Sequence, residues 1–456
     1  MAETKIIVLD DDPTGSQTVH SCLLLTRWDV TTITEGLSDQ APLFFILTNT
    51  RGMDAPAAAD VTREVCVNLK RALADMEASG RPINPLVVSR SDSTLRGHYP
   101  VETDVIAEEL GPFDAHFLVP AFFEGGRFTK DSTHYLMVDG APVPVHETEF
   151  ARDSVFGYQY SYLPDYVEEK TRGLIQAGDV ERFQLNDVRG DSLARLLSLE
   201  NNRCCVVDSE TQEDLNHFCR QLMTAAGMGK RFLFRSAASL LTALANLPPQ
   251  PVKAESMGNY VRNGNPGAVI VGSHVQKTTQ QLEVLLRCPG VTPIEVDVDN
   301  IASDYDGLLE SVSEKIKSAH FTGNTAVVFT SRVEKTFASQ SERLEFGILV
   351  SDFLIDVVRN LPESLGFLIS KGGITSNDVL SKGLNLRTSR VVGQILPGCS
   401  VVRCPASHGR YPDLPVVIFP GNVGDASALA EAYQRLASPQ DDGAATSVRE
   451  TAGEVH

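Results

Sequence analysis

Short, almost wholly apolar runs of four or five residues recur along this chain and alternate with longer amphipathic stretches. No other feature of the sequence restricts its fold as strongly. The first series of runs is Lys5 to Leu9, Leu43 to Leu47, Pro85 to Val88, His116 to Val119, Arg203 to Val207 and Arg231 to Phe234. Runs apolar at nearly every position need cover on both faces, as strands of a parallel sheet have. Ala55 to Ala78, with Val61, Val65, Leu69 and Leu73 at four-residue spacing, and Asp214 to Ala226 have the helical period that supplies such cover. The expected fold class is α/β: two α/β domains with mainly parallel sheets and a ligand cleft between them.

The rhythm breaks from Asn246 to Gly267, where Pro248, Pro249, Pro251, Gly258, Gly264, Pro266 and Gly267 crowd together as in an exposed linker. It resumes with Ala268 to Val271 and continues through Thr292 to Val296, Thr325 to Phe329, Gly366 to Ile369 and Leu414 to Phe419. The expected division is therefore 1–245, a linker at 246–267, a second domain at 268–437, and a small, polar, disordered tail at 438–456.

Composition removes several function classes. Of 456 residues, 42% are hydrophobic and 22% charged, the balance of a soluble globular chain. Forty basic against fifty-nine acidic residues give a formal charge of −19, which repels nucleic acid and anionic membrane. Neither is an expected partner. A small anion stays admissible, because a few inward cations and N–H groups reverse the potential within one cleft. The eight cysteines form no Cys-x-x-Cys pair and lie mostly in apolar runs, as reduced thiols of a cytoplasmic protein do. No apolar stretch approaches the roughly 18 residues of a membrane span.

Polar chemistry gathers directly behind the strands, where open α/β sheets bind ligands. Behind Lys5 to Leu9 come Asp10, Asp11, Asp12, Pro13, Thr14 and Gly15. Turn capping would explain one of these acids, but three consecutive carboxylates repel one another without a ligand or cation. A carboxylate here suits proton abstraction from a hydroxyl, or a hold on sugar hydroxyls and Mg2+. Behind Pro85 to Val88 come Ser91, Asp92, Ser93, Thr94, Arg96 and Gly97: hydroxyls to read a sugar and a guanidinium to grip a carboxylate. The plainer reading is a cap with an Asp92–Arg96 surface pair. Arg51 follows Leu43 to Leu47 and offers a second cation.

In the second half, Gly272 and Ser273 follow a strand and lead into a helix, an arrangement that favours anions. The glycine that a Walker loop needs before Lys277 is missing. Two more glycine turns follow strands, at Gly372, Gly373, Ile374 and Thr375 and at Gly421, Asn422 and Gly424. One such turn is usually only a turn, whereas three in one domain look like a nucleotide cradle. No His-Glu-x-x-His and no Gly-x-Ser-x-Gly occurs, which leaves zinc-enzyme and serine-hydrolase readings without support.

Asp11-Asp12-x-Thr14-Gly15, Asp92 to Gly97, Pro120-Ala121-Phe122 with Gly126-Arg127, Gly272-Ser273, Gly372-Gly373-x-Thr375 and Gly421-Asn422-x-Gly424, in this order, resemble the four-carbon acid sugar kinase family. The resemblance runs from about residue 5 to 436. It implies an acid-sugar-binding first domain, an ATP-binding second domain, and transfer of the γ-phosphoryl of ATP, with Mg2+, to a hydroxyl of threonate, erythronate or 3-oxo-tetronate. Asp11, Asp12, Thr14, Arg51, Ser91, Asp92, Ser93 and Arg96 then fall on the sugar side, and Ser273, Gly372 to Thr375 and Gly421 to Gly424 on the nucleotide side. Asp12 is the first choice of proton acceptor and Asp92 the second, with Arg96 and Arg51 at the substrate carboxylate. The chain departs from the family at Ser89-Arg90 and at Phe419-Pro420, where lysines are frequent; the second change removes a phosphate-facing cation.

Two rivals stand beside this reading. A two-domain dehydrogenase or ligase would use the same glycine turns, but no Gly-x-Gly-x-x-Gly follows a strand. A non-catalytic sensor of sugar acid and nucleotide would bind without forming ADP. The oligomeric state stays open, a homodimer being the assembly entertained.

Overall fold

The computed structural model describes residues 3–273, 275–332, 340–421 and 423–437. Asn422 and the tail from 438 lie outside the described residues. The strands are β1 Glu3–Asp10, β2 Cys22–Leu25, β3 Leu43–Leu47, β4 Ile83–Arg90, β5 Ala115–Val119, β6 Arg127–Lys130, β7 Thr133–Val138, β8 Ala141–Pro144 and β9 Glu181–Phe183. They continue with β10 Arg203–Val207, β11 Phe232–Ser236, β12 Ala268–Val271, β13 Val291–Val296, β14 Thr325–Thr330, β15 Leu368–Lys371, β16 Thr388–Leu396, β17 Cys399–Arg403 and β18 Pro415–Phe419.

Fifteen of these strands form one sheet, ordered β13-β14-β12-β15-β18-β17-β16-β2-β3-β1-β4-β11-β5-β10-β9, and β6 to β8 form a small antiparallel sheet. The fold is α/β, with helices over a mostly parallel sheet. β1, β3 and β11 are apolar on both faces and buried at almost every residue, which is what parallel pairing beneath two helical layers demands. The long helix Ala55–Ala78 is opened by Asp54, whose side chain accepts from the Ala57 N–H, and it buries Val65, Cys66, Leu69, Ala72 and Met76 against the sheet.

The two halves meet through backbone hydrogen bonds. β2 pairs with β16, β16 with β17 and β17 with β18, all antiparallel, whereas every other neighbouring pair in the large sheet is parallel. Three antiparallel steps leave second-half strands running opposite to first-half strands. A flat sheet would then place the two sets of carboxyl ends at opposite edges. Both sets nevertheless border one cleft, so the sheet twists through the junction. Side chains reinforce the seam: Arg390 pairs with Asp39 at 2.6 Å, Arg387 with Glu35 at 3.0 Å, and Ser16 Oγ donates to Ser400 Oγ at 3.2 Å.

Residues 246–267 include helical turns at Ala254–Tyr260 and Arg262–Gly264, and their Met257 and Val261 join the apolar cluster of the second half. All eight cysteines are free thiols, and seven of them are buried. Among the described residues no helix is long and apolar enough to cross a membrane.

Candidate active site

Within each half the chain leaves a central strand toward both sides: β1 lies between β3 and β4, and β12 between β14 and β15. Crevices open at the carboxyl ends of such strands. Here they merge into a cleft of about 1790 Å3, more than a single small ligand fills. Asp12, Thr14, Arg51, Asp92, Ser93 and Arg96 line it from the first half, and Gly272, Ser273, Gly372, Thr375, Gly421 and Gly424 from the second.

On the first side the acids are already partnered. Thr14 donates to Asp12 Oδ1 from its N–H at 2.8 Å and from its hydroxyl at 2.5 Å. Arg51 reaches Asp12 at 3.4 Å and grips Asp11 with two N–H groups, at 2.5 and 3.2 Å. Burial would raise the Asp12 pKa, but Arg51 and the Thr14 hydrogen bonds outweigh it and hold the carboxyl below its usual value. Asp92 is likewise held below its usual value: burial is overcome by Arg51, by Arg96 with its 2.7 Å hydrogen bond, and by the Thr94 hydroxyl. The Asp92–Arg96 pair of the plainer reading therefore forms, at the cleft wall instead of the open surface. Arg96 also lies 3.7 Å from Asp153 and stacks on Phe150, 4.9 Å from the ring centre.

Asp11 and Ser91 lie behind this wall, only 2% and 4% exposed. There they join a buried circuit absent from the sequence reading. Ser91 Oγ is 3.1 Å from Asp11 Oδ2, Arg235 donates to Ser91 at 2.6 Å and to Glu102, and Thr50 donates to Glu102 at 2.6 Å beside Arg51. Gly97, at φ 122°, passes over it; a Cβ there would lie 2.5 Å from Ser91 Oγ and 2.6 Å from Arg235 Nη2. The signal for Arg235 and Arg90 was legible, since each is a charge in the last two positions of an otherwise buried strand. Glu102, in helix Val101–Leu110, gave none.

The loop of Ser93, Thr94 and Leu95 is pinned carbonyl by carbonyl. His134 Nε2 lies 2.8 Å from Ser93 O, Tyr158 OH donates to Thr94 O at 2.7 Å, and Tyr166 OH donates to Leu95 O at 2.8 Å. Burial lowers the His134 pKa to about 4, so its ring is neutral there. Asp10 is the exception among the acids. It is fully buried, neither carboxylate oxygen has a partner among the described residues, and Arg90 stands 3.9 Å away. A Cβ on Gly15 would fall 2.0 Å from Asp10 Oδ2, so only glycine lets the turn close over that carboxyl.

The second side offers backbone and cations. Helix Gln276–Leu285 begins at Val275 with no side-chain cap from that residue, and its start borders the cleft beside Ser273, whose Oγ accepts from the Val275 N–H at 3.4 Å. Gln281 donates to Val423 O at 2.9 Å and Asp425 O at 2.8 Å, tying this helix to the last glycine turn. Gly372 N–H donates to Phe419 O at 2.8 Å, joining that turn to the previous one. Gly373 and Ile374 enter the short helix Gly373–Asp378. A fully buried cation stands behind this turn, on the paired strand. Lys371, opposite Phe419 in the β15–β18 register, donates to Pro420 O at 2.6 Å and Gly421 O at 3.2 Å, and lies 4.5 Å from the Phe419 ring centre. Burial lowers its pKa to about 8.

The arrangement has one wall of carboxylates, hydroxyls and guanidinium groups and one of glycine turns. Residues 6–244 match the model of a sugar-binding N-terminal domain, and residues 268–429 that of a nucleotide-binding C-terminal domain. A D-erythronate kinase of Heliobacterium modesticaldum is 27% identical over 311 residues, covering 65% of this chain and 63% of that protein; the match thus spans less than two thirds of the relative. A solved structure from Salmonella typhimurium LT2 shares the fold at TM-score 0.70 and 20% identity, over 94% of this chain and 98% of that one. One from Haemophilus influenzae does so at TM-score 0.63 and 16% identity, over 94% and 100%. With the sugar-binding model alone spanning more than half of the 456 residues and the nucleotide-binding model following it in order, the chain belongs to the four-carbon acid sugar kinase family.

Proposed function

We propose that this protein is an ATP-dependent kinase that phosphorylates a hydroxyl of a four-carbon acid sugar of the threonate, erythronate or 3-oxo-tetronate type. The observation that carries the reading is the single cleft, bordered by polar strand ends of the sugar-binding half and by three glycine turns of the nucleotide-binding half. The D-erythronate kinase relative supports the substrate class.

In this reading ATP lies against the turns at Gly272-Ser273, Gly372 to Thr375 and Gly421 to Gly424, where backbone N–H groups oppose phosphate charge and the charge of Lys371 acts from behind the turn. The donor set fits Mg2+ carried by the phosphates: among the described residues no three acidic, His or Cys side chains converge, and Mg2+ commonly needs only one or two carboxylates beside phosphate oxygens. Asp425, exposed at the last glycine turn and bordering the cleft, is the carboxylate for that place. Held there, Mg2+ would supply positive charge against the phosphates.

The acid sugar lies against Asp12, Ser93 and Asp92. Its hydroxyl oxygen forms a bond to the γ-phosphorus as the bridge to the β-phosphate breaks, and the hydroxyl proton passes to Asp12. A carboxyl held below its usual pKa is a weak base. Phosphoryl transfer through a loose transition state tolerates this, because the proton leaves late and positioning dominates. Asp12 is thus first an orienting acceptor for the hydroxyl. The reading is tested by ADP release with ATP and Mg2+ against threonate, erythronate and oxo-tetronate stereoisomers, longer sugar acids serving as controls. Turnover on one four-carbon acid is the expected result. Binding of acid and ATP without ADP formation would replace the kinase by a sensor.

A further inference from the structure

Four arginines border the first half of the cleft, and they differ in how far protein carboxylates already neutralise them. Arg51 holds Asp11 and Asp12, and Arg96 holds Asp92 and reaches Asp153. Each carries its counter-charge with it. A substrate carboxylate approaching either would meet the acids as well, at a site whose net charge is near zero or negative. Arg90 has Asp10 at 3.9 Å, with no hydrogen bond from its Nε. Arg127, at the start of β6, has no carboxylate within 4 Å among the described residues. Its guanidinium packs near the Phe122 ring, 5.8 Å from the centre, and Nη1 donates to Gly125 O at 2.5 Å. The buried Nε makes no hydrogen bond among the described residues. Nη1 is therefore fixed by the protein, Nε is buried without an acceptor, and Nη2 makes no hydrogen bond among the described residues.

A buried N–H without an acceptor is costly, and a planar carboxylate is the acceptor that matches an arginine fork with two parallel bonds. From these differences we infer that Arg127, backed by Arg90, is the residue that binds the carboxylate of the acid substrate, while Arg51 and Arg96 hold the aspartates that read its hydroxyls. The inference rests on the acid-sugar kinase reading. Discrimination between an acid and the corresponding neutral polyol then resides chiefly in one side chain.

The test compares the wild-type protein with Arg127→Gln, Arg127→Lys and Arg96→Gln. It measures kcat and KM for ATP and for the best-accepted of D-erythronate, D-threonate and L-threonate, with erythritol as the neutral probe. Removing one partner of a desolvated charge pair should raise the acid KM of Arg127→Gln on the order of 100-fold, with the ATP KM within about twofold. Its preference for acid over erythritol should collapse by the same factor, and Arg127→Lys should recover part of both. A merely structural role for Arg127 would move both KM values together and leave the preference intact, which overturns the inference. So does an Arg96→Gln variant that alone loses the preference. A wild-type protein that phosphorylates none of the tetronates overturns the kinase reading itself, and the inference with it.

Discussion

Asp10→Asn should make the protein less sensitive to rising pH, and the size of the effect follows from the Asp10 environment. The carboxyl is fully buried with neither oxygen hydrogen-bonded, and burial, opposed chiefly by Arg90, pushes its pKa up to about 8. In an unfolded chain an aspartate titrates near ~3.9. Between those two values the folded carboxyl keeps its proton while the unfolded one has lost it. The folded state then binds more protons, and stability falls as pH rises through that window. Each pH unit is worth about 1.4 kcal/mol, so the loss between pH 5 and pH 8 is at most about 4 kcal/mol. Relaxation around the carboxylate once it ionises, with Arg90 at hand, brings the expected loss to about 2 kcal/mol. Asparagine keeps the shape and removes the titration. In thermal melts at pH 5, 6, 7 and 8, Tm of Asp10→Asn minus Tm of the wild type should climb by about 2 to 4 °C, because a chain of this size shifts about 1 °C per kcal/mol. Other titrating groups cancel in the difference. A difference flat with pH would refute the reasoning, since it would mean that Asp10 is ionised throughout and paired with Arg90 despite its burial.

Other outcomes follow from the same geometry. Asp12→Asn should lower kcat about 100- to 1000-fold with the acid KM changed less than about threefold, read in steady-state assays on protein of unchanged melting profile. Lys371 is cationic below about pH 8 and loses its charge above it. ATP affinity should therefore weaken several-fold between pH 7.5 and pH 9 in the wild type and stay level with pH in Lys371→Met, as titration calorimetry would show. Gly97→Ala drives a methyl group into Ser91 and Arg235 at a backbone angle hostile to a side chain; it should cost at least about 2 kcal/mol and lower Tm by about 2 °C or more.

The parallel part of the sheet was open to sequence reading because burial on two faces writes itself as continuous apolar runs. Leu43 to Leu47, Arg203 to Val207 and Thr325 to Phe329 are strands at almost those limits. The antiparallel seam was not. β16 reads Thr-Ser-Arg-Val-Val-Gly-Gln-Ile-Leu, with polar residues among the apolar ones, and β2 is four residues in a stretch without a clear period. They pair with each other across hundreds of residues, and pairing of that kind leaves no local trace. The same limit governs the site. Asp12, Arg51, Asp92 and Arg96 stand at strand ends, and the structure brings them to one cleft wall. Which acid neutralises which arginine, and which arginine is left over, depends on distances across β1, β3 and β4 and the loops beyond them. Lys371 shows the point most simply. It stands across the strand pair from Phe419, whereas a search along the sequence looks for the cation at Phe419-Pro420 itself.

The β2–β16 seam also sets what can be made of the protein in pieces. Cut near residue 250, each half would expose a strand whose N–H and C=O groups had lost their partners. β2 is nearly wholly buried in the intact chain and presents Leu23, Leu24 and Leu25 along that edge, an invitation to pair with any free strand, including its own copies. Separately expressed halves should therefore clump on their own and dissolve when made together, each acting as the edge guard of the other.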